Sequence, residues 1–195
     1  MITLRRLTCL ALALSPCAAF AVHVTVQLRG PEGQPLAGAA VAVEVKGRPA
    51  KTTTAKAEVG QRDRQFTPQF LIVQTGTAVN FPNFDTVRHH VYSFSPIKVI
   101  DLKLYSGTPA EPVVFDKPGV ATLGCNIHDR MSAHIIVVDT PTFARTDDKG
   151  QATFDLPPGE HAVKAWHAAQ KSPTLQSLKL DVPAGGGTSV LTLAD

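Results

Sequence analysis

GCNIHDRMSAHIIVVD, Gly124 to Asp139, is the stretch on which the reading of this 195-residue chain turns. Cys125, His128 and Met131 follow one another three residues apart, and an apolar run from Ala133 then leads into Asp139. A short run of β-branched residues closed by an acid reads as a strand. On the other side PVVFDKPGVATLGC (112–125) carries a hairpin signal, with Pro118 and Gly119 at the centre of a type II turn. A thiol, an imidazole and a thioether therefore sit on one short loop with a strand on either side.

Working outward, nearly every segment after Ala21 has strand character. VHVTVQL (22–28) and AGAAVAVEV (37–45) alternate, and FLIVQTGTAVNF (70–81) gives two runs broken at Gly76. VYSF, IKVIDLKLY, QATFDL, EHAVKAW, LQSLKLDV and TSVLTL follow the same habit. No window of ten residues carries a helical stripe, and 15 prolines and 14 glycines punctuate the runs. The expected class is all-β, a sandwich or barrel.

The first 21 residues read as a secretory signal. Arg5 and Arg6 precede the apolar LTCLALALSPCAAFA, which ends on the A-x-A site Ala19-Phe20-Ala21. Cleavage there lowers Lys plus Arg from 19 to 17 against 16 acids, a net charge of +1, so the basicity is targeting and argues for neither nucleic acid nor a membrane surface. The chain is expected to reside in the periplasm, with no membrane insertion after cleavage. Cys9 and Cys17 leave with the signal, and Cys125 is then the sole cysteine. A single thiol in an oxidising compartment is either buried and inert or bonded to something.

Two segments suggest a second unit. VTVQLRGPEGQPLAGAAVAVEV (24–45) looks like the opening hairpin of a carboxypeptidase-regulatory-like β-sandwich, and ARTDDKGQATFDLPPGEHAVKAWHA (144–168) resembles its later part. Residues 22–46 with 140–195 would then form a small sandwich, and residues 50–139 a domain inserted between two of its strands, a tolerated route when the insertion falls at a loop tip.

Thiolate, imidazole and thioether together suit copper: soft sulfur favours Cu(I), and imidazole serves both oxidation states. Two histidines and a cysteine in a trigonal plane, with a long axial methionine, form a blue-copper electron-transfer site. NFDTVRHHVYSF (83–94) supplies the missing histidine. At this point the chain resembles the cupredoxins. CNIHDRM matches the C-x-x-H-x-x-M ligand loop of the amicyanin type, and Phe81, Asn83 and His89-His90-Val91 fall in the upstream register without a gap. The resemblance covers roughly residues 65–139 and extends to exported cupredoxins labelled as methylamine-utilisation proteins. It implies a Greek-key β-sandwich with one type 1 copper on His89, Cys125, His128 and Met131. Register selects His89. Strand alternation offers His90 instead, because His90, Tyr92 and Phe94 share a face and an aromatic face is expected to be the core. The family has Asn where this chain has His90, which alters the hydrogen bonding around the sulfur.

A copper whose coordination is filled by protein leaves no open position for substrate, so the expected role is an electron carrier and not an enzyme. The alternative is copper delivery without a carrier role. Donor and acceptor would be periplasmic redox proteins docking weakly around His128, on a ring formed by Ile127, Met131 and Pro82 or Phe84, with the chain a monomer. His134 is expected to be structural or exposed, and His161 and His167 lie in the C-terminal strand EHAVKAWHA, where Trp166 anchors the packing.

Overall fold

Side chains on a strand point alternately to opposite faces, so a strand with one buried face shows apolar residues at every second position. The computed structural model describes residues 20–194; the expected signal segment, residues 1–19 of it, lies outside the described residues. Its strands begin with β1 (Val22–Arg29) and β2 (Ala40–Glu44). The central portion holds β3 (Lys56–Glu58), β4 (Gly60–Arg62), β5 (Gln65–Thr67), β6 (Phe70–Gln74), β7 (Ala78–Asn80), β8 (His89–Ser95), β9 (Lys98–Tyr105), β10 (Val113–Val114), β11 (Gly119–Gly124) and β12 (Ser132–Val138). The chain closes with β13 (Phe143–Arg145), β14 (Gln151–Leu156), β15 (Gly159–Trp166), β16 (Gln176–Val182) and β17 (Gly187–Thr192). The fold is all-β. Among the described residues no helix is long and apolar enough to cross a membrane.

The strands assemble around two interiors. Strands β14-β1-β17 form one sheet and β13-β2-β15-β16 another. Val24, Val26 and Leu28 of β1 meet Val41 and Val43 of β2, with Phe154, Val163 and Leu180 filling between them. The second interior lies under the five-stranded sheet β6-β12-β11-β8-β9 and the smaller sheets β10-β7-β3 and β4-β5. Val79, Phe81, Val91, Phe115, Leu123 and Ile135 fill it, and Cys125 and Met131 belong to it. The residues of this second core come from positions between the two stretches that build the first.

A third cluster explains why two runs are apolar throughout. Ala40 and Ala42 on the far side of β2 pack with Val120, Ile136, Val138 and Trp166. Strand β12 thus sends Ile135 and Val137 into one core and Ile136 and Val138 into this contact, so HIIVV lacks the polar alternation of a half-exposed strand. Trp166 stacks on Phe70 with ring centroids 6.1 Å apart and takes His134 against its other contacts at 4.9 Å. Its indole N–H donates to the Ser172 carbonyl at 3.1 Å.

One local expectation needs correction. The 112–125 stretch does not close as a hairpin: β10 pairs with β7, while β11 pairs with β12 and β8. The Pro118-Gly119 turn carries the chain from one sheet to the next instead, because each arm finds a better-matched partner elsewhere in the sequence. The break at Gly76, by contrast, has a clear backbone cause. Its φ is +97°, and a Cβ there would lie 2.3 Å from the Thr53 carbonyl oxygen.

Candidate metal centre

The loop that carries Cys125 is held at its base by the β11–β12 ladder, which runs from Gly119 opposite Val137 to Gly124 opposite Ser132. Residues 125–131 are what remains between the two strands. Inside that loop the Met131 N–H donates to the His128 carbonyl at 2.9 Å, a tight closure that leaves little freedom between the two residues. Cys125 and Met131 are buried, while His128 is half-buried near the surface.

Strand β8 brings the upstream histidine. His89, Val91 and Ser93 are all 0% exposed and point inward, whereas Phe94 on the other face is 80% exposed. The expectation that the His90–Tyr92–Phe94 face is the core is therefore wrong. That face is the outer one, and its rings contact each other at 5.9 Å and 5.3 Å along the strand. The His90 ring N–H donates to Asp101 at 2.7 Å, also on the outside. Tyr92 can lie on the sheet because the residue opposite it is Gly124; a Cβ on Gly124 would fall 2.6 Å from the Tyr92 Cζ. An absent side chain next to Cys125 gives the ring its seat.

Three donors converge. Cys125 Sγ lies 3.9 Å from His89 Nδ1 and 3.8 Å from His128 Nδ1. All three ligand atoms are within 4.8 Å of one another, and the two imidazoles meet at 5.0 Å between centroids, tilted by 59°. Nitrogen and sulfur ligands at about 2.0 Å and 2.3 Å from one ion sit roughly 3.7–3.9 Å apart when they subtend about 120–130°. Both S–N separations are within reach of one shared ion, and the N₂S donor chemistry fits copper. Met131 is buried in the same core as Cys125.

Around the donors lies a frame of hydrogen bonds. Asn83 is buried; its side-chain amide donates to the carbonyls of Val87 (2.8 Å) and Tyr105 (3.0 Å), and its oxygen accepts from Asp85 N–H (2.9 Å). The Tyr105 hydroxyl donates to the Phe81 carbonyl at 2.6 Å and accepts from the Gln61 amide at 2.6 Å. Burial pushes that phenol up to about 12, and the Gln61 bond opposes the rise.

Asp85 is the residue that reading the sequence missed. Its carboxylate accepts from the His89 Nε2–H at 2.8 Å and from the backbone N–H groups of Asp63 (2.7 Å) and Arg64 (3.0 Å). Partial burial raises its pKa, but the bonds from Arg64, His89 and Asp63 outweigh it and hold the carboxyl below its ordinary value. The one available signal was an acid four residues before a candidate ligand, and outside a helix that spacing has no fixed meaning.

The exposed ring near His128 also differs from expectation. Ile127 is 48% and Phe84 51% exposed, but Met131 and Pro82 are buried. Met131 is buried in the core instead of lining the surface. The Arg62 guanidinium covers the Phe84 ring at 4.8 Å. The remaining histidines have local partners: His161 accepts from Lys46 N–H at 3.1 Å and donates to the Pro157 carbonyl at 2.8 Å.

An all-β unit that draws a buried cysteine and two histidines together is the arrangement that the ligand-loop resemblance implies. No family model matches this chain, and no curated protein does. Solved structures do. A purple cupredoxin from Nitrosopumilus maritimus is similar over 43% of this chain and 99% of its own, at 22% identity and a TM-score of 0.36. Amicyanin from Paracoccus versutus is similar over 49% and 97%, at 17% identity and 0.39. A copper-containing nitrite reductase from Thermus scotoductus is similar over 51% of this chain at 22% identity and 0.40, and the aligned part spans 25% of that enzyme. At those scores the likenesses decide nothing about function.

Proposed function

We propose that this protein is an exported electron carrier with one type 1 copper held by His89, Cys125, His128 and Met131. The observation that carries the reading is the buried Cys125 thiol facing both imidazoles at 3.8–3.9 Å. When bound, copper supplies one-electron cycling between Cu(II) and Cu(I). The chain's part is to hold two nitrogens and a sulfur in fixed relative positions, to exclude water through the core around Cys125, and to leave only the His128 side near the surface. Four protein ligands leave no place for a substrate, so no catalytic turnover is expected.

Periplasmic donor and acceptor proteins would dock in turn beside His128 through a small interface, with the exposed Phe84 and Ile127 offered as apolar contacts. The protein would act as a monomer, without nucleic acid. Residues 50–139 would be the copper unit, set into a carboxypeptidase-regulatory-like sandwich of 22–46 with 140–195. The segment 1–21 would direct export and be removed.

The test is direct. Added Cu(II) should give the intense visible thiolate-to-copper band of a blue site, bleached by ascorbate and restored by ferricyanide, and Cys125→Ser should abolish it. Tight Cu(I) binding with no stable coloured Cu(II) form would replace the carrier with a delivery role. No copper uptake at all would overturn both.

A further inference from the structure

The two imidazoles are held unequally. His128 has a ring nitrogen toward Cys125, and among the described residues its Nε2 has no hydrogen-bond partner. His89 is fully buried and engaged at both ring nitrogens, with Nδ1 toward Cys125 Sγ at 3.9 Å and Nε2 on Asp85 Oδ2 at 2.8 Å. A carboxylate can only accept, so Nε2 carries the proton and the Nδ1 lone pair is left free to face the sulfur and any ion between them.

Asp85 is itself immobilised from the far side. Asp63 and Arg64, with φ of 54° and 57°, form the two-residue turn between β4 and β5. Consecutive left-handed residues aim their N–H groups to one side, a backbone cradle for an anion. The anion here is the Asp85 carboxylate, bound by the Asp63 and Arg64 amides at 2.7 Å and 3.0 Å. Asn83 fixes the backbone of the same residue by accepting its N–H at 2.9 Å. Turn, carboxylate and imidazole make a continuous chain of short hydrogen bonds ending at a candidate ligand.

We propose that Asp85 is the positioning residue of the metal centre: anchored on the Asp63–Arg64 turn, it sets the tautomer and ring orientation of His89 and, through its negative charge, lowers the reduction potential of the bound copper. The proposal rests on the copper reading above. A carboxylate behind an imidazole ligand raises the basicity of that ligand, and losing such a partner costs about 10–100-fold in metal affinity. The charge favours the more positive ion, so Cu(II) should lose more than Cu(I). Each tenfold excess in that loss raises a one-electron potential by about 59 mV.

The experiment uses the full chain with Asp85→Ala, Asp85→Asn and Asp85→Glu. In the metal-free protein, nitrogen-15 NMR of His89 should show the Nε2–H tautomer in the parent and in Asp85→Asn, whose side-chain oxygen still accepts, and a mixture in Asp85→Ala. With copper, Asp85→Asn should have a higher midpoint potential than the parent, Asp85→Ala should bind Cu(II) about 10–100-fold more weakly, and Asp85→Glu should return the potential toward the parent value. An unchanged potential in Asp85→Asn, or a pure Nε2–H tautomer with parental Cu(II) affinity in Asp85→Ala, overturns the proposal. If Asp85→Ala does not fold, the Asparagine variant at position 85 decides by its potential. If the parent takes up no copper, the copper reading falls, and the tautomer of metal-free Asp85→Ala alone still decides whether Asp85 positions His89.

Discussion

Replacing Gly124 by alanine asks whether the tyrosine ring is seated on the residue before Cys125. The new methyl carbon would lie 2.6 Å from Tyr92 Cζ, 2.7 Å from its hydroxyl oxygen and 3.0 Å from Cε1. Carbon atoms pack at about 3.5–4.0 Å, so the ring must retreat by about 1 Å. Tyr92 is half-buried on the outer face and can move outward, but it then loses contact with the sheet and shifts against His90 and Phe94. Overpacking of this kind costs about 1–3 kcal/mol. Alanine in a strand recovers about 0.5–1 kcal/mol of the backbone entropy that glycine loses on folding. Gly124→Ala should therefore destabilise by roughly 0–2.5 kcal/mol, taking these two terms together. In a Tyr92→Ala background the clash is gone and the same change should stabilise by about 0.5–1 kcal/mol. Urea denaturation of the four proteins of this cycle measures the sign reversal. Gly124→Ala having the same effect with and without the ring would refute the seating of Tyr92 on Gly124.

Two further outcomes follow from buried polar contacts. The Thr146 hydroxyl accepts from Ala39 N–H at 2.8 Å and donates to the Leu36 carbonyl at 2.6 Å, joining segments more than a hundred residues apart. Thr146→Val keeps the shape but strands both backbone groups, and a loss of about 1–3 kcal/mol is expected in denaturant unfolding, with Thr146→Ser close to the parent. His134 is half-buried against Trp166, and burial holds its imidazole below the ordinary 6.5. Since the unfolded chain takes up the proton first, its contribution to stability is complete above that value and is lost as pH falls toward the lower folded value. An NMR titration of His134 with a midpoint at or above 6.5 would contradict this.

Much of the architecture was legible because it is written at short range. Alternation in VHVTVQL and QATFDL follows from the two-residue period of a strand with one buried face. The three-residue spacing of Cys125, His128 and Met131 puts its donors on one loop wherever the flanking strands pair. The upstream partner was legible only as a choice between His89 and His90, since period-two alternation says that they face opposite ways and not which way is in.

By itself, then, the sequence determined an all-β chain, the loop with its thiol and imidazole, and a pair of histidines from which one would be drawn. Tertiary structure alone decided the rest. Val91 and Ser93 join His89 inside because Gly124, across the sheet, leaves room outside for Tyr92. The Pro118-Gly119 turn became a crossing between sheets because its arms pair with strands elsewhere in the chain. Asp85 meets His89 while anchored on a turn at Asp63 and Arg64, more than twenty residues upstream. Hydrogen bonds and packing between distant segments depend on which strands meet, and no local pattern of residues encodes that meeting.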